Sequence, residues 1–244
     1  SNGTLFKKVT RYTLGRLDRV PLSFSQERLW FLDQLQGSTE YHIPLVLRLE
    51  GGLDVSILER TLKTIVSRHE VLRTLLLSED GIGYQQVIND EDWRLDQVKI
   101  ADESLLENSL QDYLQLAFDL SKDYKLRACL YDLGDQKYVL ACVFHHIASD
   151  GWSMNIFKRE LDEYYQAYIN GYESFMLPSL DIQYKDYAVW QRNYLTGEVL
   201  EKQLGYWKNK LSGYQTLEFP TDYARPLQID YKGSHEGFIL SKEV

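Results

Sequence analysis

Apolar positions along the chain follow two rhythms, one of helical spacing and one of strict alternation. Leu29, Trp30, Leu32 and Leu35 recur at helical spacing behind Ser23, whose hydroxyl can cap a helix while Gln26 answers it. This capping-box pattern predicts a helix that stops near Gly37. Leu45, Leu47 and Leu49 alternate and predict a strand over 43–49. Asp54 can cap the next helix, whose stripe is Leu58, Leu62, Ile65, Val66 and His69. Short strands follow at 72–77 and 84–88, then a helix at 104–118. Leu126, Ala128 and Leu130 alternate again, and 138–144 is apolar at nearly every position, as a strand buried on both faces is. Phe157, Leu161, Tyr164, Tyr165 and Tyr168 mark a helix ended by Gly171. A third long helical region covers 182–211, and 238–240 returns to extended structure. The expected class is α/β, a mixed β-sheet covered by helices.

Composition narrows the function classes. The 244 residues are 44% hydrophobic and 13% aromatic, enough for a sizeable core. Lys and Arg total 27 against 36 Asp and Glu, a net charge of −9 that argues against a broad nucleic-acid or anionic-membrane surface. No apolar run approaches the ~18 residues of a membrane span and no secretory segment opens the chain, so a cytoplasmic protein is expected. Cys129 and Cys142 flank a turn at Leu133-Gly134-Asp135-Gln136. Two buried free thiols are the favoured state, with a bridge across the turn as the alternative.

The chemistry concentrates in Phe144-His145-His146-Ile147-Ala148-Ser149-Asp150-Gly151-Trp152-Ser153. A buried strand ends, a polar loop follows, and a helix begins. Adjacent histidines in an extended segment point in opposite directions, so one can face a cavity while the other is tied into the structure. Asp150 can bond a ring nitrogen or hold the loop by pairing with an arginine. Gly151 lets backbone approach a ligand closely and can present an N–H at the helix start. A metal is disfavoured, because adjacent histidines rarely share an ion and no third ligand is evident.

Residues 145–151 match the HHxxxDG signature of nonribosomal peptide synthetase condensation domains. Three further segments agree in order. Leu22-Ser23-Phe24-Ser25-Gln26-Glu27-Arg28-Leu29-Trp30-Phe31-Leu32 resembles the family's first motif, although Ser25 stands where alanine is usual. Arg68-His69-Glu70-Val71-Leu72-Arg73-Thr74 resembles the second, and Tyr184-Lys185-Asp186-Tyr187-Ala188-Val189-Trp190-Gln191 the fourth. The resemblance implies a chloramphenicol acetyltransferase-like lobe, one of two that enclose a tunnel. It implies amide formation between a donor acyl or peptidyl thioester and an aminoacyl acceptor, each on the 4′-phosphopantetheine of a peptidyl carrier domain, with no cofactor bound by the lobe itself.

By the same resemblance His146 takes a proton from the amine or orients it, and the Gly151 backbone lies near the thioester oxygen. His145 is structural, and Asp150 pairs with Arg73 in the first instance or Arg68 in the second. His69 belongs to the core. A whole condensation domain is about twice this long. Residues 20–180 are therefore expected to form the N-terminal lobe, and 181–244 a linker helix and the beginning of a truncated C-terminal lobe. Such a fragment is expected to be inactive alone and to self-associate through the face left by the missing lobe. Two alternatives are a non-catalytic carrier-protein docking module and a small-molecule acyltransferase using coenzyme A.

Overall fold

The computed structural model describes residues 8–12, 19–37, 41–148, 154–194 and 198–211. Among the described residues, β2 (His42–Glu50), β7 (Lys137–His145), β6 (Leu126–Gly134) and β5 (Asp96–Lys99) form a sheet in the order β2-β7-β6-β5. Its pairs are antiparallel except β5 with β6. A smaller antiparallel sheet has the order β1-β4-β3, from β1 (Val20–Pro21), β4 (Ile82–Val87) and β3 (Thr74–Glu79).

The larger sheet is covered on both faces. Leu45, Leu47, Leu49, Ala128, Leu130, Leu140 and Cys142 meet α2 (Val55–Arg68) and α4 (Met154–Ile169). Cys129, Tyr131, Val139, Ala141 and Val143 meet the other layer, formed by α3 (Leu106–Gln115), β3 and the inner side of α1 (Phe24–Gln36). This is why 138–144 reads as continuously apolar: β7 sits between β2 and β6, with an apolar layer on each side.

The caps form as the sequence predicts. The Ser23 hydroxyl accepts from Gln26 N–H while the Gln26 carboxamide accepts from Ser23 N–H, and Asp54 accepts from Ile57 N–H. Gly83, on β4, lies close under Leu22: a Cβ there would be 2.7 Å from Leu22 Cδ1, so that side chain would have to shift.

Several boundaries differ from the pattern. Residues 70–73 form a single 3₁₀ turn, so β3 starts at Thr74, whose hydroxyl donates to Glu70 O at 2.6 Å. The 104–118 helix is a 3₁₀ turn over Glu103–Leu105 followed by α3, which ends where the Arg127 guanidinium donates to the carbonyls of Tyr113, Leu116 and Ala117. The region 182–211 is two helices, α5 (Tyr184–Tyr194) and α6 (Glu198–Leu211). The extended segment expected at 238–240 lies outside the described residues. No described helix is long and apolar enough to cross a membrane.

The two cysteines resolve geometrically. Cys129 lies opposite Ala141 and Cys142 opposite Ala128, so the thiols are on opposite faces of the sheet, each within its own apolar layer. Both are free and buried, and burial raises both thiol pKa values, Cys129 to about 11. Neither should react with a thiol reagent in the native state. Both should react after denaturation without reductant; a chain that stays unreactive until reduced would contradict this arrangement.

Candidate active site

The end of β7 is held by backbone bonds. His145 N–H donates to Lys125 O at 3.1 Å, and His146 N–H to Tyr41 O at 2.6 Å. His146–Ala148 then form a 3₁₀ turn, and Ile147 N–H donates back to His145 Nδ1 at 3.0 Å. The two histidines separate as an extended segment requires: His145 is fully buried and His146 is exposed. Burial is the main cause that pushes His145 down to about 3, and the nearby His42, Lys125 and His146 side chains lower it further. His145 is therefore a neutral ring with Nδ1 accepting, which fits a structural part. Of the remaining signature residues, Asp150 and Gly151 lie outside the described residues.

Arg73 and Arg68 both brace the surrounding framework. Arg73 donates to Ile88 O at 2.6 Å and to Ser67 O at 3.0 and 3.2 Å, joining the ends of β4 and α2. Arg68 donates through Nε to Glu160 Oε1 at 2.7 Å and through Nη1 to Pro178 O at 2.6 Å. The other oxygen of Glu160 lies 2.6 Å from His69 Nε2. His69 is buried as expected, yet a carboxylate is its partner. Burial alone would raise the Glu160 carboxyl; the hydrogen bonds and charges of His69 and Arg68 outweigh it and hold the group below the usual glutamate value. This cluster lines an open groove of about 740 Å³ together with Ile156, Tyr184 and Tyr187, and neither His145 nor His146 is part of its lining.

The first, second and fourth motif segments meet at one junction. Ser23 Oγ and Tyr184 Oη are 2.8 Å apart, Phe24 N–H donates to Gln191 Oε1, and Arg192 donates to Leu22 O at 2.7 Å. Arg192 also pairs with Glu27. Lys185 pairs with Glu70 at 2.8 Å, while Gln183 accepts from Glu70 N–H and donates to Arg68 O. Tyr184, Tyr187, Trp190 and Tyr194 follow one another along α5 with centroids 5.6, 5.9 and 5.0 Å apart. Among the described residues, α5 thus serves as a packed bracket.

Two residues of this region escaped the sequence reading. Glu160 falls on the α4 stripe between Phe157 and Leu161, and an acidic residue at a core position was the available signal. Lys125 is fully buried. Its Nζ donates to Leu120 O at 3.0 Å and Asp123 O at 2.6 Å, and burial lowers it to about 7 against the opposing pull of Asp123, Asp119 and Asp33. Its backbone N–H donates to Leu72 O at 2.7 Å, so one residue joins three segments beside the histidines.

Comparison with known proteins gives a consistent result. The family model described as Condensation domain matches residues 16–244. A linear gramicidin synthase of Brevibacillus parabrevis is 44% identical over 224 residues, 88% of this chain and 3% of that protein. Malpinin synthetase of Mortierella alpina is 39% identical over 226 residues, 90% of this chain and 3% of that protein. Among solved structures, the X-domain from teicoplanin biosynthesis superposes with a TM-score of 0.73 at 32% identity, over 90% of this chain and 49% of that one. The starter condensation domain of rhizomide synthetase RzmA gives 0.69 at 17% identity, over 82% of this chain and 51% of that one, a likeness of fold. The chain thus spans about half the length of these solved structures and a few per cent of these synthetases.

The Glu160 cluster has a pH signature. A carboxyl held below its usual value contributes stability above that value and loses the contribution as pH falls through the folded-state one. At pH 7, Glu160→Gln should cost about 3 kcal/mol, because Arg68 and His69 lose a buried partner. In urea melts, the difference from wild type should narrow below about pH 4. A difference that stays constant from neutral to acid would show that the carboxylate charge is not its source.

Proposed function

The chain belongs to the condensation-domain family, and from that premise we propose that it supplies the histidine-bearing wall of an amide-forming acyltransferase. The substrates are a donor acyl or peptidyl thioester and an aminoacyl acceptor, each on the 4′-phosphopantetheine arm of a peptidyl carrier domain. No cofactor is bound by the wall itself. The acceptor amine attacks the thioester carbonyl carbon; the C–N bond forms, the C–S bond breaks, and the amine's proton ends on the departing thiolate. His146 takes that proton or orients the amine that gives it up. The Gly151 backbone approaches the thioester oxygen, and Asp150 braces the loop. Residues 20–180 make the N-terminal lobe, and 181–244 lead through a linker helix into the second lobe.

One observation carries this reading. The two adjacent histidines divide into a buried, neutral, hydrogen-bonded His145 and an exposed His146 on a turn fixed through the backbone. As free groups an α-amine and an imidazole titrate within about 2 units of each other near neutral pH, so proton transfer between them is nearly balanced. Such transfer contributes ~10²–10⁴-fold in typical enzymes, and holding amine and thioester together contributes at least as much.

A second reading, a docking module without chemistry, draws on one finding: a solved relative at 34% identity is the X-domain from teicoplanin biosynthesis in complex with OxyB. In a full two-lobed domain, His146→Ala should lower amide formation by about 100-fold while carrier binding and the circular dichroism spectrum stay unchanged. A rate equal to wild type removes His146 from the mechanism. Unimpaired carrier binding with no amide formed even by wild type favours the docking module. The isolated chain should form no amide, and it should self-associate, since α1, which packs against the histidine turn, exposes Phe31 and Leu35. A monomer by sedimentation at all concentrations would count against that.

A further inference from the structure

Two buried ring nitrogens beside the histidine turn carry an unused donor and an unused acceptor. His145 Nδ1 accepts from Ile147 N–H, so the neutral ring bears its proton on Nε2. His42 lies directly opposite His145 in the β2–β7 register. Its Nδ1 is 3.2 Å from Leu114 O, and a carbonyl oxygen only accepts. Nδ1 of His42 is therefore the donor, and Nε2 of that neutral ring holds a lone pair. Burial also lowers the pKa of His42, a larger effect than the opposing Leu114 bond, and the Arg127 charge adds to it.

Both Nε2 atoms are buried, and neither has a hydrogen-bond partner among the described residues. The two ring centroids are 6.1 Å apart at an interplanar angle of 65°. Phe118 sits edge-on to both, at 4.9 Å from His42 and 5.6 Å from His145. Arg127 covers the Phe118 ring at 4.3 Å. The tautomers are complementary, one N–H and one lone pair, in a site closed by an aromatic ring and a guanidinium. Desolvated groups of this kind are rarely left apart.

We propose that one bridging water accepts from His145 Nε2–H and donates to His42 Nε2, and that His42 is thereby a positioning residue for the turn that presents His146. His42 is itself fixed by the Leu114 carbonyl at the end of α3. The proposed chain runs from α3 through both imidazoles and the water between them to Ile147 N–H, so the ring plane of His145 and the path of the turn are set together. The functional half of this proposal rests on the reading that His146 acts on the acceptor amine; the contact itself does not.

The test has two arms. In the ¹⁵N-labelled chain, long-range imidazole spectra should show His145 protonated at Nε2 and His42 at Nδ1, with the His145 proton slow to exchange. His42→Phe should speed that exchange at least tenfold. His42→Gln, whose carboxamide can donate to Leu114 O and accept from the bridging water, should restore it. In the full two-lobed domain, His42→Phe should lower kcat for amide formation on the order of tenfold to 100-fold with KM for the carrier-bound acceptor unchanged, and His42→Gln should recover most of the loss. His145 protonated at Nδ1, or exchange unchanged in His42→Phe, overturns the contact; the latter would direct the proton at the Phe118 ring. Altered exchange with unchanged kcat overturns the positioning role. Should the Phe variant fail to fold, His42→Asn, too short to span both partners, stands in its place with the same expected losses. A wild-type domain that shows the tautomer pair but forms no amide supports the contact and sinks the functional reading.

Discussion

The structure around the site depends on one constraint: β7 is buried on both faces, so each backbone donor at its exit must find a partner within the protein. Three successive donors do. His145 N–H goes to Lys125 O, His146 N–H to Tyr41 O, and Ile147 N–H to the ring of His145. The turn is therefore drawn by its own hydrogen bonds and does not need the His146 side chain to define its path. A side chain whose backbone is fixed in this way starts close to its working geometry, and rate is lost steeply when such a geometry drifts.

The same logic explains where the other motif segments went. Read as a string, they suggest parts of one reactive centre. In the structure, segments 22–32, 68–74 and 184–191 form a junction in which side chains mostly satisfy backbone groups: Arg73 on Ser67 and Ile88, Gln183 on Arg68 and Glu70, Arg192 on Leu22. These bonds fix how α1, α2 and α5 approach one another. Glu160 extends the junction to α4, the helix that follows the histidine loop, so the loop is bounded by elements whose relative positions are set elsewhere.

How legible this was depends on where each partner lies. The Ser23 capping box, the double-faced β7 and the division of the two histidines are local in sequence, and local physics sets them. The Glu160 cluster is not local: its partners stand 92 and 91 residues away, and only its place on an apolar stripe hinted at them. Arg73 and Lys125 bind carbonyl oxygens, which every residue carries and no composition reveals. β5 was missed because Asp96–Lys99 is exposed at all four positions and shows no alternation; its pairing with β6 alone makes it a strand. The cysteines show the converse. Closeness across a turn was readable, but the pairing register decided that the thiols face apart.

Burial also determines which groups near the turn can change charge. The proposed condensation develops positive charge on the attacking amine, and a protonated imidazole buried beside it would oppose that charge. His145 is removed from that role by the same desolvation that makes its ring a structural prop, since its pKa of about 3 leaves it neutral throughout the working range. Lys125 stays cationic only to the extent that Leu120 O, Asp123 O and nearby carboxylates offset its burial, with a pKa of about 7. A strand that must be buried on both faces thus yields more than a rigid exit: it keeps one histidine of the adjacent pair inside as a neutral prop, while the turn that follows carries the other to the surface.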